Sequence, residues 1–202
     1  MGARMVVLAL LAVVCSACSS EPPPPPVAPA IPTILPATTV TRAPQMVDRD
    51  LPDDCELIVP VDVLHARLGR ELPGELKQVI GIPEPSIGRT AKIDCYYGVE
   101  RQVLLTAPVV VGLAKYTDEA TAANRVAESV DAERREGASV SQVDVGRQKA
   151  SLVVTKDERL LVGSLGKTTF VSRAKAGVAP DEAVGAFLAA VAQQSMTPVE
   201  DA

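Results

Sequence analysis

Aromatic residues are scarce in this chain. Only five occur among 202 residues, and none is Trp. They are Tyr96, Tyr97, Tyr116, Phe170 and Phe187. So few rings leave little surface on which bases could stack, and a formal net charge of -5 opposes binding to phosphate backbones. These two features exclude nucleic acid as a partner.

Histidine is equally scarce, since His65 is the single example. It lies on the same side of a predicted short helix as Leu64 and Leu68, a position more typical of packing than of catalysis. One histidine with two distant cysteines makes no zinc-binding set, so we predict no metal and no cofactor. A hydrolase that uses His65 stays open as the alternative, because a triad assembled in space leaves no sequence pattern.

The N-terminus carries the features of an export signal. Arg4 precedes the apolar run Met5–Val14, which is too short to span a bilayer, and the small residue Ala17 stands before Cys18. This pattern resembles a bacterial lipoprotein signal, with residues 1–17 cleaved and Cys18 lipidated by diacyl or palmitoyl chains. Two acyl chains are enough for stable attachment to a membrane. An ordinary secreted protein and a retained signal anchor are the alternatives.

Proline is concentrated between Cys18 and Leu51. Nine of the seventeen prolines lie there, five of them consecutively at Pro22–Pro26. Such a sequence favours polyproline II conformation and forms no core, so we interpret residues 18–52 as a lipidated cysteine followed by a semi-rigid linker.

Two cysteines remain once the signal is removed and Cys18 is acylated. An even pair in an oxidising compartment favours a disulfide between Cys55 and Cys95. Two buried free thiols are the alternative.

Residues 53–196 form one predicted α+β domain, followed by a tail at 197–202. Apolar spacing and capping residues predict helices at 61–68, 118–136 and from 181, and a further helical turn at 75–80. Alternation predicts strands at 92–100 and 103–116, interrupted near Pro108, and then at 140–145, 152–155, 160–165 and 168–173. With three or four strands after the second helix, the order is α-β-β-α-β-β-β-α, an antiparallel sheet of about five to six strands with helices packed on one face.

Two local motifs imitate binding sites. Residues 163–168 are similar to a phosphate loop, but their glycines are three apart and a strand follows, so we interpret them as a strand break or bulge. Acidic residues cluster at 48–56 without EF-hand spacing, which is typical of a helix N-terminus.

Three segments carry a family resemblance: Asp53–Asp62, the helix end Leu68-Gly69, and Cys95-Tyr96-Tyr97. Together they resemble a family of exported lipoproteins of unknown function from high-GC Gram-positive bacteria. They are more loosely similar to extracellular sensor domains of membrane Ser/Thr kinases. The resemblance implies a disulfide-closed envelope domain, and it transfers no active-site residue.

The sequence therefore predicts a lipoprotein on the extracytoplasmic face of the cell membrane. Its expected role is a non-enzymatic, sensor-like module, with the membrane as one partner through the lipid anchor. The other partner is an envelope protein or a small apolar ligand. The low aromatic content and the abundant Val and Ala residues would suit a cavity that holds an acyl chain. A cell-envelope hydrolase that uses His65 is the alternative.

Overall fold

The computed structural model describes residues 45–198. The predicted signal peptide, the predicted lipidation site Cys18 and most of the predicted linker lie outside these residues. The elements are α1 (Val61–Leu68), β1 (Glu75–Gly81), β2 (Arg89–Val99), β3 (Val109–Tyr116), α2 (Glu119–Arg135), β4 (Ser139–Val145), β5 (Gln148–Val154), β6 (Glu158–Leu165), β7 (Thr168–Lys175) and α3 (Asp181–Ser195). None of the described helices is long and apolar enough to cross a membrane.

The seven strands form one antiparallel sheet in the order β1-β2-β3-β7-β6-β5-β4. This confirms the α+β class, but the predicted number of strands and their order were wrong, because three strands precede α2 and four follow it. The extra strand is β1, for which a helical turn was predicted. Leu76, Gln78 and Ile80 share one face of this strand, which pairs antiparallel with β2. Pairing with a neighbouring strand outweighed the weak local helical pattern.

Helices cover both faces of the sheet, whereas the sequence predicted them on one face. On the inner face, α3 packs on Leu161 and Phe170 with α1 beside it. On the outer face, α2 packs on Val162 and Val171 through Val130. A strand with consecutive apolar residues is buried on both sides, so each face requires its own cover.

The disulfide predicted between Cys55 and Cys95 is present, with the two Cα atoms 5.6 Å apart. It fastens the segment before α1 to β2. The Tyr97 hydroxyl donates a hydrogen bond to the carbonyl oxygen of Val59 at 2.6 Å, and burial raises the pKa of this hydroxyl above its usual range. Because the phenol stays protonated, it keeps donating this bond and holds the same segment in place.

Residues 45–51 belong to the predicted linker, yet they contact the domain. The Val47 N–H donates to the carbonyl oxygen of Met196 at 3.0 Å. The Asp48 carboxylate accepts hydrogen bonds from the Lys167 N–H at 3.0 Å and from the Thr168 hydroxyl at 2.7 Å. These bonds fix the chain beside the β6–β7 turn. Every helix and strand described here lies within residues 45–198, so the fragment Arg42–Ala202 contains all of them.

Candidate functional site

The outer face of the sheet carries an open groove of about 370 Å³ beside α2. The groove forms because α2 packs mainly on β6, β7 and β3, and leaves the outer side of β2 largely uncovered. Its lining comes from β2, β3, β6, β7 and α2: Arg89, Lys92, Asp94, Tyr96, Val110, Gly112, Leu113, Ala114, Tyr116, Arg125, Val126, Ser129, Glu133, Glu158, Leu160, Val162, Thr169, Val171 and Arg173. This volume falls within the usual range for small-molecule sites.

The floor of the groove is aliphatic and carries one carboxylate. Val110 and Ala114 of β3 and Val171 of β7 supply the apolar surface. Gly112 lies between them, opposite Asp94 in the strand register. A side chain at Gly112 would bring a Cβ atom within 2.7 Å of Asp94 Oδ1, so the glycine leaves room for this carboxylate to lie over the floor.

The charged side chains of the groove are separated along its length. Arg89 and Lys92 lie where β2 begins, and Arg125 lies on the first half of α2, so we call this the arginine end. The opposite end carries Glu133, Glu158 and Arg173. Strand pairing explains the placement. Arg89 pairs with Tyr116 at the end of β3, next to the start of α2.

Most of these charges are already paired. Lys92 Nζ lies 2.7 Å from Asp94 Oδ2, and Arg173 Nη1 lies 3.5 Å from Glu158 Oε2. Glu133 has no ion-pair partner within residues 45–198. Seven of the nineteen lining residues are charged, so a purely apolar ligand such as an alkane would displace water from these side chains without replacing its hydrogen bonds.

The candidate catalytic residue His65 lies outside this groove. It belongs to α1, on the opposite face of the sheet. Within the described part of the chain, its ring makes one hydrogen bond, in which the Leu72 N–H donates to Nε2 at 3.1 Å. Nε2 is therefore used to close the loop between α1 and β1, and no hydroxyl or carboxylate of the described chain is hydrogen-bonded to the ring.

The acidic residues at 48–56 have individual structural roles. Asp48 holds the β6–β7 turn, Asp50 Oδ1 lies 2.5 Å from Lys115 Nζ, and Asp54 accepts a hydrogen bond from the Glu56 N–H at 2.9 Å. The hydrogen bond from Lys115 lowers the pKa of Asp50 below its usual value. Among residues 45–198, no group of three or more acidic, histidine or cysteine side chains is arranged to hold a metal ion.

The phosphate-loop mimic at 163–168 also has a structural role. Gly163 lies within β6, and Gly166-Lys167 form the hairpin turn between Leu165 and Thr168, where a strand break or bulge was predicted. Gly166 has a φ of +56°, and a Cβ atom there would collide with the Asp48 carboxylate. The turn therefore requires glycine, and its Lys167 N–H already donates to the Asp48 carboxylate.

No protein-family model matches the sequence, and no curated protein matches it. Among solved structures, the chain is similar to the crystal structure of the extracellular domain of PknH from Mycobacterium tuberculosis, with a TM-score of 0.42 and 10% sequence identity. The match covers 70% of this chain and 93% of that chain.

Proposed function

We propose that this chain is an extracytoplasmic lipoprotein whose domain is a non-enzymatic, sensor-like module that binds a ligand in the groove beside α2. The observation that carries the proposal is the groove itself. Side chains from five elements converge on a cleft of about 370 Å³ with an aliphatic floor and charged ends. Concave sites that combine apolar surface with a few polar groups are typical of small-molecule binding.

The location of His65 also favours binding over hydrolysis. A general base must reach the proton that it removes, directly or through one water. His65 lies across the sheet from the groove, and its Nε2 already accepts a backbone hydrogen bond. We therefore assign no catalytic role to His65.

The membrane anchor is the second part of the proposal, and it rests on the sequence pattern around Cys18. Cys18→Ala is expected to move the protein from the detergent phase to the aqueous phase in a detergent-partition assay, because the acylated residue is lost. Cys15→Ala is the matched control and should leave partitioning unchanged. Release by Cys15→Ala alone would contradict the assignment of the cleavage site.

Ligand binding is tested by mass spectrometry of what co-purifies with the chain from its native membrane. A groove-filling variant, Ser129→Phe, should lose the bound molecule, because Ser129 lines the groove. Ala127→Phe is the matched control, since Ala127 is exposed on the same helix and does not line the groove. A molecule retained by both variants would contradict the groove as the binding site.

A further inference from the structure

The two arginines at the arginine end of the groove differ from its other cations in where their partner carboxylates lie. Arg89 Nη2 lies 2.6 Å from Glu84 Oε2, and Arg125 Nη1 lies 3.2 Å from Glu128 Oε2. Neither glutamate lines the groove. Both are well exposed, with 46% and 67% of their side chains accessible, so these ion pairs lie at its solvent-facing rim.

The Arg125–Glu128 pair is weak, because both side chains are exposed and water screens the two charges. The Arg89–Glu84 pair is formed through Nη2 of a less exposed guanidinium group. The guanidinium groups therefore keep most of their capacity to bind a second anion from inside the groove. A guanidinium offers five N–H donors in a planar fork, which suits a carboxylate or phosphate. Lys92 differs, since its partner Asp94 also lines the groove and is only 16% exposed.

Arg89 supplies a second, independent observation. Its side chain is 19% exposed, and its Nε atom is buried with no hydrogen-bond partner in the described part of the chain. A buried N–H without a partner is costly, and such groups are rare in folded proteins. The guanidinium group of Arg89 is thus incompletely satisfied by the protein alone.

The lining beyond the arginine end limits the kind of ligand that the rest of the groove can hold. Beyond the arginine end, the groove continues over Ala114, Val171 and Val110 toward the opposite end. That end carries Glu133 and Glu158 against one arginine, which disfavours a second negative charge there.

We propose that the groove binds an amphipathic anion, a molecule in which one carboxylate or phosphate head group is attached to an apolar chain. The head group lies between Arg89 and Arg125, and the apolar chain runs over the β3 and β7 floor. This inference rests on the proposed function, since it assigns a ligand class to the same groove. The same head-group chemistry is offered by a free amphiphile and by an anionic phospholipid in a bilayer.

The test compares dodecyl phosphate, dodecanoate and dodecyltrimethylammonium, each below its micelle concentration, on the Arg42–Ala202 fragment. Calorimetry gives the affinity, and amide chemical shifts of residues 92–96 and 110–114 show whether the groove is occupied. The two anions should bind at least about tenfold more tightly than the cation, since hydrogen bonds to charged groups are worth a tenfold change or more. Tighter binding at low salt is expected as well.

Arg125→Gln should weaken binding of both anions about tenfold or more and leave the cation unaffected. Arg134→Gln is the matched control. Arg134 forms an i,i+3 ion pair on the same helix but does not line the groove, so its loss should leave the affinities for the two anions and for the cation unchanged. A second variant, Arg89→Lys, keeps the charge but removes the planar fork, and should weaken phosphate binding while the melting temperature reports whether the fold is intact.

Two sources of the anion are separated by adding vesicles of anionic phospholipid. Groove shifts with monomeric dodecyl phosphate but not with vesicles identify a free amphiphile, and shifts with both identify a lipid head group. Equal affinity for all three probes in the groove would overturn the anion inference and leave the proposed binding function standing. If none of the three probes shifts the groove amides, the inference is overturned. A co-purified molecule that is lost in Ser129→Phe would then still support the proposed function.

Discussion

Removal of the Cys55–Cys95 disulfide is expected to destabilise the domain by an amount that its position predicts. The bridge joins residues 40 apart in the sequence. For a closed loop of this length, the chain-entropy model gives about 4 kcal/mol at 25 °C. Each kcal/mol shifts the melting temperature of a domain of this size by about 2–4 °C, so the expected decrease is roughly 8–16 °C.

The assay is thermal and urea denaturation of the Arg42–Ala202 fragment, followed by far-UV circular dichroism. The fragment with the disulfide is compared with the same fragment reduced in the unfolded state and refolded under reducing conditions. The double variant Cys55→Ala/Cys95→Ala serves as a further comparison. Because both cysteines are buried, this variant also loses packing, and the difference between it and the reduced fragment isolates that packing loss.

The segment between Cys55 and α1 keeps other contacts after reduction. The Tyr97 hydroxyl still donates to Val59, and Gln78 Oε1 still accepts from the Cys55 N–H at 3.1 Å. The reduced domain should therefore refold to the same structure with lower stability. A melting temperature within about 2 °C of the oxidised value would refute the loop-entropy argument. Two free thiols in the unfolded, non-reduced protein would contradict the Cys55–Cys95 bridge itself.

Three further changes test other parts of the structure. Gly163→Ala should destabilise the domain by about 1–3 kcal/mol in urea denaturation, because the added Cβ collides with the Phe170 ring; an unchanged midpoint would contradict this packing. His65→Ala should lower the free energy of unfolding by about 1 kcal/mol through the lost hydrogen bond from Leu72, and should leave ligand affinity intact. A hydrolytic activity that disappears in His65→Ala without loss of stability would instead support the hydrolase alternative. The pKa of Asp118 is lowered chiefly by the hydrogen bond from the backbone N–H of Thr121, so its capping contribution is present above its unfolded pKa and is lost as the pH falls through its lower folded value. In Asp118→Ala, the free energy of unfolding should therefore fall less steeply below about pH 4 than in the unmodified domain. The same pH profile in both proteins would refute the capping role.

Local capping and stop signals in the sequence predicted α2 well. Asp118 caps the helix, and Gly137 with a φ of +93° follows its end, as the sequence pattern indicated. The interruption predicted near Pro108 is present, because a central strand cannot spare a backbone N–H, and β3 begins directly after it. Residues 104–106, predicted as strand, form a short 3-10 helix instead. These features depend on a few neighbouring residues, and a sequence displays them directly.

Features that depend on the pairing of distant segments were not predictable. The residues 75–81 became a strand because the edge of β2 was available to pair with them. Residues 160–162 are consecutive apolar positions of β6, a strand packed on both faces, and the helix that covers each face is placed by the whole sheet and not by a local pattern.

The groove illustrates the same division. Alternation along β2 placed Lys92, Asp94 and Tyr96 on one face, and all three line the groove. Arg89 and Arg125 are 36 positions apart, and they share one end of the groove because β2 and β3 pair and α2 then returns over the sheet. No local pattern of sequence connects the two arginines.

Hydrogen–deuterium exchange on the chain purified from its native membrane tests the central claim most directly. Exchange is compared before and after the co-purified molecule is removed. The account predicts that removal speeds exchange in residues 119–135 and 92–96, which border the groove, and leaves α1 unchanged. A change confined to α1, or to the α3 surface that faces it, would contradict the assignment of the groove as the binding site.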